Sequence, residues 1–358
     1  MRCHHCCRHS IFCVIPPYVL EQIARNGSPK QRAAALRTQS VDTTFRALRV
    51  AAAAARFVPG PGIVPGAPET MARRRSIFDA AGRQDLPGNL VRTEGQADTD
   101  DPAVNEAYHG LGATFDFFAE VLGRNSIDDE GMPLQATVHF GQDYSNAFWN
   151  SVQMVFGDGD GDLFNRFTIA LDVIGHELTH GVTEDESRLH YFNQSGALNE
   201  SMSDVFGSLI KQYVHRQTAQ QADWLIGAGL LAAGDQGVAL RSMKEPGSAF
   251  DDPVLGKDPQ PAHMNDFVHT LADNGGVHVN SGIPNHVFYL VATRIGGPAW
   301  EKAGRIWYDA LRDARVKPNT GFRRFARITH DVAGRLYGVG GLEQDAVRFG
   351  WDAVGIDV

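Results

Sequence analysis

Apolar and polar positions change their period twice along this chain. Residues 18–26 and 29–38 carry apolar side chains at helical spacing and predict two short helices; the Ala-rich run Thr43 to Phe57 predicts a third. Val58-Pro-Gly-Pro-Gly-Ile-Val-Pro-Gly-Ala-Pro68 then reads as a linker, closed by Arg73-Arg74-Arg75, an exposed basic stretch suited to proteolytic nicking. Residues 76–165 show short apolar runs between turn signals. Strands are expected at Ala136–Phe140 and Val152–Phe156, and a helix from Val104 to Leu122. From residue 166 the pattern is helical. Thr168–Val182 lacks proline and carries Ile169, Val173, Ile174 and Leu178; Ala197–Arg216 has Leu198, Met202, Val205, Phe206, Leu209, Ile210 and Tyr213 on one face. Further helices are expected from about 285 and 299 and near 322 and 343. No internal repeat is visible, and no run approaches the length of a membrane-spanning helix.

Charge is unevenly placed. Residues 1–75 hold twelve Lys and Arg against three Asp and Glu, a balance of +9, which leaves −18 on the remainder of a chain whose total is −9. The acidic total argues against nucleic acid as the main partner. A basic segment tethered to an acidic body is expected to dock on it rather than trail as a solvated tail. All four cysteines, Cys3, Cys6, Cys7 and Cys13, fall in the first thirteen residues, among His4, His5 and His9. The remainder has no cysteine and folds without disulfides. The cluster is crowded for a zinc site, and no second CxxC stands at zinc-finger spacing. The segment Ile11–Ile15 is too short for the apolar core of a secretory signal and is stopped by Pro16-Pro17.

His176-Glu177-Leu178-Thr179-His180 carries the chemistry. Four residues apart on a helix, two imidazoles converge on one point and suit zinc, and Glu177 lies where a carboxylate takes a proton from metal-bound water. A third ligand is required. The extended motif with a downstream glycine and histidine fails, because Thr183 and Glu186 occupy those places. Glu200 and Asp204, four apart on the next helix, are the candidates: one to ligate, one to accept a hydrogen bond from a ligating histidine. Gly157-Asp-Gly-Asp-Gly-Asp162 has a calcium-loop appearance, but Leu163 replaces the required glycine and no glutamate stands at the twelfth place, so a tight turn is expected.

Gly175-His-Glu-Leu-Thr-His-Gly-Val-Thr183 followed by Asn193-Gln-Ser-Gly-Ala-Leu-Asn-Glu-Ser-Met-Ser-Asp204 resembles the thermolysin-like metalloendopeptidases. Leu86–Arg92, Ala103–Tyr108, Asn146–Trp149 and Asp273–Gly282 match the same family, and the likeness covers residues 76–358. It implies an α+β fold with a β-rich N-terminal lobe, 76–191, and a helical C-terminal lobe, 192–358, with the active-site helix between them. It also implies a zinc-dependent neutral endopeptidase cleaving proteins before bulky hydrophobic residues. By this resemblance His176, His180 and Glu200 bind one Zn(2+), and Asp204 and Asn199 orient the histidines. Glu177 is the general base, Tyr191 and His278 stabilise the oxyanion, and Asp273 holds His278. Asn146, Ala147 and Arg241 grip substrate backbone, and Phe164, Phe167, Val173, Ile226 and Leu240 line the pocket after the scissile bond.

The family's double calcium site is expected to be absent. Asp172 and Asp223 are kept, but Lys211, Leu225 and Ala228 stand where carboxylates are needed. Residues 1–57 resemble the short propeptide of the protealysin branch, carried by Ile15-Pro16-Pro17-Tyr18, with a linker and processing region at 58–75. The Pro-Pro turn is expected to lie in the cleft as an intramolecular plug, because proline resists cleavage; Cys13 as a zinc ligand is the alternative. The resemblance implies a secreted monomer without membrane or nucleic-acid partners, although no standard export signal is visible; a cytoplasmic protein is the alternative. Competing functions are a zinc-binding module without catalysis and a scaffold acting through the Cys/His N-terminus.

Overall fold

The computed structural model describes residues 12–54, 71–234 and 236–358. The cluster of Cys3, Cys6, Cys7, His4, His5 and His9, the end of the Ala-rich segment at 55–57 and the linker 58–68 lie outside the described residues.

The N-terminal part of the body is built on a six-stranded sheet, with strand order β1-β5-β6-β4-β2-β3. Its strands are β1 (Phe12–Cys13), β2 (Arg75–Asp79), β3 (Asn89–Thr93), β4 (Leu134–Val138), β5 (Ala147–Trp149) and β6 (Met154–Phe156). β2, β4 and β6 run parallel, while β3, β5 and β1 add antiparallel neighbours. The expected strand at 136–140 thus begins and ends two residues earlier. His139 has φ 53°, a left-handed turn that no strand continues through. The expected strand at 152–156 starts only at Met154, because the Asn150 side chain accepts from Val152 N and Gln153 N and makes a turn there. Asp160 Oδ1 likewise accepts from the amides of Asp162, Leu163 and Phe164, the tight turn expected of that glycine–aspartate run.

Helix α3 (Pro102–Asp116) is capped by Asp101 and continues as one π-helical turn, Phe117–Val121. A 3₁₀ turn at Phe167–Ile169 precedes α4 (Leu171–Glu186), so the segment expected as one helix from Thr168 is broken at Ala170. α5 (Asn193–Val214) packs on α4. Two glycines set the spacing of this pair. A Cβ on Gly207 would stand 2.3 Å from the carbonyl oxygen of Asp172, and one on Gly175 would meet Gly207 Cα at 3.1 Å. Backbone touches backbone, and side chains one turn away are brought within bonding reach. The C-terminal part is helical: α6 (Asp273–Asn280), α7 (Gly282–Ile295), α8 (Ala303–Leu311), α9 (Phe322–Tyr337) and α10 (Leu342–Ala353). Short antiparallel pairs join β7 (Leu225–Ile226) to β8 (Arg241–Ser242) and β9 (Asp251–Asp252) to β10 (Gly256–Lys257). None of the described helices is long and apolar enough to cross a membrane.

The basic N-terminal segment docks on the body. α1 is Pro17–Asn26, and α2 runs unbroken through Pro29–Ala54 where two helices were expected. No glycine or proline interrupts Arg37 to Thr43, and Asp42 is held inside by Tyr144 Oη at 2.6 Å and Asn146 Nδ2 at 3.0 Å. Val14, Ile15, Val19, Leu20 and Ile23 join the main core. Apolar burial of about 1.5–3 kcal/mol for each such side chain outweighs the exposed Arg37–Asp143 ion pair, worth about 1 kcal/mol at most. Charge complementarity therefore plays the smaller part. The arginine triplet is also not a free loop. Arg73 pairs with Asp116, Arg74 reaches Gly131 O, and Arg75 is buried. Arg75 pairs with Glu94 and lies over the Tyr108 ring at 3.7 Å, while Arg92 lies over the same ring at 3.6 Å.

His139 ties the sheet to the cap of α3. Its Nδ1 stands 2.9 Å from Asp158 Oδ2 and its Nε2 2.8 Å from Asp101 Oδ2. Two carboxylates on two ring nitrogens require the imidazolium. The bond to Asp158 and then that to Asp101, against the opposing effect of burial, raise its pKa from 6.5 to about 9. The folded state therefore holds this proton more tightly than the unfolded chain. The stabilisation is complete below pH 6.5 and is lost as pH rises through about 9. Thermal unfolding of the full-length protein is expected to show Tm falling across that window, and His139→Gln to give a lower Tm with a flatter slope there. Parallel profiles would assign the pH dependence to other groups.

Candidate metal centre and cleft

His176 and His180 lie one turn apart on α4, fully buried, and α5 brings Glu200 opposite them. His176 Nδ1 is 2.7 Å from Asp204 Oδ1, and His180 Nδ1 is 2.7 Å from Asn199 Oδ1. A carboxylate and an amide oxygen can only accept, so each Nδ1 donates. Both Nε2 atoms then carry lone pairs, and they face one another at 3.0 Å. Glu200 completes the triangle, its oxygens 3.5 Å from His176 Nε2 and 3.6 Å from His180 Nε2. Three electron-pair donors converging without a proton between them call for a cation. Donor–donor spacings near 3.3 Å are expected for a tetrahedral ion with bonds of about 2 Å, so the set fits zinc. Among the described residues this is the one group of three with metal-ligating geometry.

Asp204 is the most heavily bonded group nearby. Besides His176 it accepts from Arg241 Nε at 2.9 Å, Arg241 Nη2 at 2.8 Å and Asn285 Nδ2 at 2.8 Å. Burial would raise its pKa, but Arg241 and His176 override burial and hold it well below the carboxylate range. Ser203 Oγ stands 3.0 Å from His180 Nδ1 beside Asn199. Asn285 and Ser203 were not read from the sequence. Ser203 could have been, since it lies four residues after Asn199; Asn285, on α7, carried no signal.

Glu177 is fully buried next to the centre. Its Oε2 accepts from the Trp149 amide at 3.0 Å, and its Oε1 has no hydrogen-bond partner. Burial, then the Glu200 charge, push its pKa well above the usual value. Opposite, His278 Nδ1 is 2.6 Å from Asp273 Oδ1, and its backbone amide donates to Asp273 Oδ2 at 2.9 Å. Asp273 thus both closes the turn and grips the ring. The turn is tight because Asp273, Asn274, Gly275 and Gly276 all have positive φ, which explains the paired glycines. Burial would lower the His278 pKa, but Asp273 and Glu200 raise it on balance. His278 Nε2 lies 3.1 Å from Tyr191 Oη, which donates to Glu200.

The chain's own residues 13–15 run through this cleft. β1 pairs antiparallel with β5 and adds the outermost strand of the sheet. The Cys13 carbonyl oxygen is 3.2 Å from His278 Nε2. Val14 N donates to Ala147 O at 3.2 Å, and Arg241 Nη1 donates to Val14 O at 3.1 Å. Ile15 N donates to Asn146 Oδ1 at 2.9 Å. Asn146, Ala147 and Arg241 therefore all grip backbone in the cleft. Arg241 also makes a buried ion pair with Asp204. Phe164, Phe167, Val173, Ile226 and Leu240 are buried in the same core cluster as Val14; Ile226 pairs with Arg241 across β7 and β8.

One expectation is made finer and one is corrected. The residues hydrogen-bonded at the centre are Cys13, Val14 and Ile15, and the Pro-Pro turn follows them directly, Pro16 capping α1 and Pro17 opening it. Proline's fixed φ suits a helix start, whereas the cleft requires the Val14 and Ile15 amides that proline lacks. Cys13 does not join the metal set. Strand alternation turns its side chain away, into a cluster with Phe140, Tyr144, Phe148 and Val155, while Val14 points inward.

With the geometry described, comparison with known proteins is direct. Residues 70–184 match the thermolysin metallopeptidase catalytic domain, 187–356 its alpha-helical domain, and 13–39 the protealysin propeptide. An extracellular metalloprotease of Pectobacterium carotovorum subsp. carotovorum is 55% identical over 345 residues, covering 96% of both chains. Protease PrtS of Photorhabdus sp. is 49% identical over 350 residues, 96% of this chain and 92% of that one. The solved precursor of protealysin from Serratia proteamaculans superposes with a TM-score of 0.87 at 52% identity, over 96% of this chain and 99% of that one. The buried His-His-Glu centre sits in a chain matched over both lobes and the N-terminal segment, and the chain belongs to the thermolysin metallopeptidases, with a protealysin propeptide ahead of the catalytic part.

Proposed function

We propose that this metallopeptidase is a zinc endopeptidase cutting before bulky hydrophobic residues, held as a zymogen by residues 1–57 until the following stretch is cut. The observation that carries the reading is the convergence of two unprotonated imidazole nitrogens and a carboxylate beside a backbone carbonyl that His278 already touches. His176, His180 and Glu200 would hold the ion, which supplies Lewis acidity toward a water and a carbonyl oxygen. Glu177 takes the proton of the attacking water at its unpartnered oxygen and delivers it to the leaving amine. Tyr191 and His278 donate to the carbonyl oxygen as negative charge grows. Asn146, Ala147 and Arg241 hold substrate backbone in the register that residues 13–15 occupy. Phe164, Phe167, Val173, Ile226 and Leu240 make the receiving pocket apolar, which supports the preference for hydrophobic side chains.

The cut that frees the enzyme falls before Arg73, since Arg73, Arg74 and Arg75 are each tied to the body. The extracellular naming of the Pectobacterium relative supports action outside the cell. The reading is of a monomer acting on protein substrates.

Lys211 supports the proposal that the double calcium site is absent. Its ammonium is 2.8 Å from Asp172 Oδ2, 2.9 Å from Asp223 Oδ1 and 2.6 Å from Leu225 O. A cation is thus already built into the chain, and a calcium ion there would meet its repulsion.

Three outcomes test this reading. Fragment 73–358 is expected to digest casein while the full-length Glu177→Ala protein does not; equal digestion by uncut full-length wild type and the fragment would remove the plug. Asp273→Asn is expected to lower kcat by about tenfold to hundredfold with KM little changed, less than the hundredfold to thousandfold typical of losing an oxyanion donor outright; an unchanged kcat would leave Asp273 as a turn residue only. Calcium-selective chelation is expected to leave Tm unchanged, whereas Lys211→Met is expected to cost about 3–5 kcal/mol by stranding buried Asp172. A large drop in Tm on chelation would restore calcium to that site.

A further inference from the structure

The propeptide segment in the cleft has the direction and register of a substrate. Its amides and carbonyls alternate between Asn146, Ala147 and Arg241 without a gap. One carbonyl, that of Cys13, is directed at His278, whose Nε2 also neighbours Tyr191 Oη. The next side chain, Val14, is fully buried in the core that holds the apolar pocket. The peptide bond between them is the one the machinery addresses. A plug that merely covered the cleft would have no reason to satisfy these contacts in order, and a proline at position 14 or 15 would have removed an amide the site binds.

We propose that the precursor hydrolyses its own Cys13–Val14 bond, so that residues 1–13, with all four cysteines, are released as a peptide. This rests on the peptidase reading above and specifies a self-cleavage site within it. Water is the co-reactant. Its oxygen forms a bond to the Cys13 carbonyl carbon, the carbon–nitrogen bond to Val14 breaks, and Glu177 carries both water protons in turn to the nitrogen. The products are a Cys13 carboxylate and a Val14 ammonium.

The cut does not by itself open the enzyme. Ile15 stays bound to Asn146, and α1 and α2 remain anchored through Asp42, through Thr38 to the Ser145 amide and through Lys30 to Asp160 O. The new amine of Val14 is held where it was formed, so the trimmed propeptide goes on blocking the site as a bound product. The Cys13 side is held only by the two-residue β1 pairing, so it departs while the Val14 side stays anchored. The Cys/His segment is then a leader lost early, and the blocking function belongs to residues 14 onward.

The test uses the full-length protein, purified metal-free and then supplied with zinc, followed by intact mass and N-terminal sequencing. A species beginning at Val14 is expected, with a rate independent of protein concentration over a tenfold range, and it is expected to precede casein hydrolysis. Glu177→Ala is expected to keep Met1. Val14→Asp places a charge in an apolar pocket and is expected to slow the cut by about a hundredfold or more. Val14→Leu, which needs no change in packing chemistry, is expected to be cut at least as fast as wild type. Protein that becomes active on casein while its propeptide keeps residues 1–13 overturns the self-cleavage and leaves the peptidase reading intact. Protein that cuts neither casein nor itself overturns both. A Val14 terminus that also forms in Glu177→Ala assigns the cut to a contaminating protease and overturns the proposal.

Discussion

Asp204 is the charge on which the site depends. It is fully buried, and it accepts from a metal-side histidine, a cleft-side arginine and an asparagine of α7. A lone carboxylate at that depth would take up a proton; here Arg241 and His176 keep it ionised. In return it fixes the tautomer of His176, which leaves Nε2 with a lone pair, and it locks the Arg241 guanidinium so that Nη1 can reach a backbone carbonyl in the cleft. One anion thereby coordinates two functions, metal holding and backbone holding. Removing it would leave a buried cation and a misoriented ring together, a coupled loss rather than two separate ones.

The geometry that makes this possible is set by the smallest residues. Gly175 and Gly207 let α4 and α5 meet backbone to backbone, and only at that spacing does Glu200 come within 3.6 Å of both imidazoles. The sheet supplies the other wall. β5 carries Ala147 at its edge and Trp149 at its end, so a single short strand offers hydrogen bonds to an added chain and, through the Trp149 amide, orients Glu177. An edge strand is a place where a further strand will pair. This protein covers it with its own β1, so the strand proposed to hold substrate is also the one covered by the N-terminal segment.

What the sequence made legible followed from local spacing. The i,i+4 pairs His176/His180 and Glu200/Asp204 sit on facing helices as their periodicity required. Lys211 was readable as a cation beside Asp172, and it is found there. What was not legible depended on partners distant in the chain. β1 is two residues long and exists only because β5, some 135 residues on, pairs with it. The same holds for Asn285, which sits among apolar helix positions and shows no motif. α2 was read as two helices because Ser40 to Thr43 carries weak helix formers; burial of Asp42 against Tyr144 and Asn146 overrides that propensity. The arginine triplet was read as exposed because its aromatic partner, Tyr108, lies 33 residues downstream.

The order of residues leading into the Pro-Pro turn has a physical lesson for how such a zymogen works. Cleavage resistance was sought in the residue that fills the cleft, and proline offered it. The cleft instead holds Cys13, Val14 and Ile15, whose amides are needed for binding, and the prolines are used to start a helix. Blocking therefore cannot rest on that bond resisting attack. It comes from the anchoring that follows the bond, where α1 buries Val19, Leu20 and Ile23 in the body and α2 is held through Thr38 and Asp42. A substrate cut into two free pieces leaves the site because each piece gains translational freedom. A tethered one does not, and the equilibrium between cut and uncut forms is shifted toward whatever keeps the contacts. An inhibitor of this kind can resemble a good substrate in every hydrogen bond and still block the enzyme, because the tether prevents departure rather than attack.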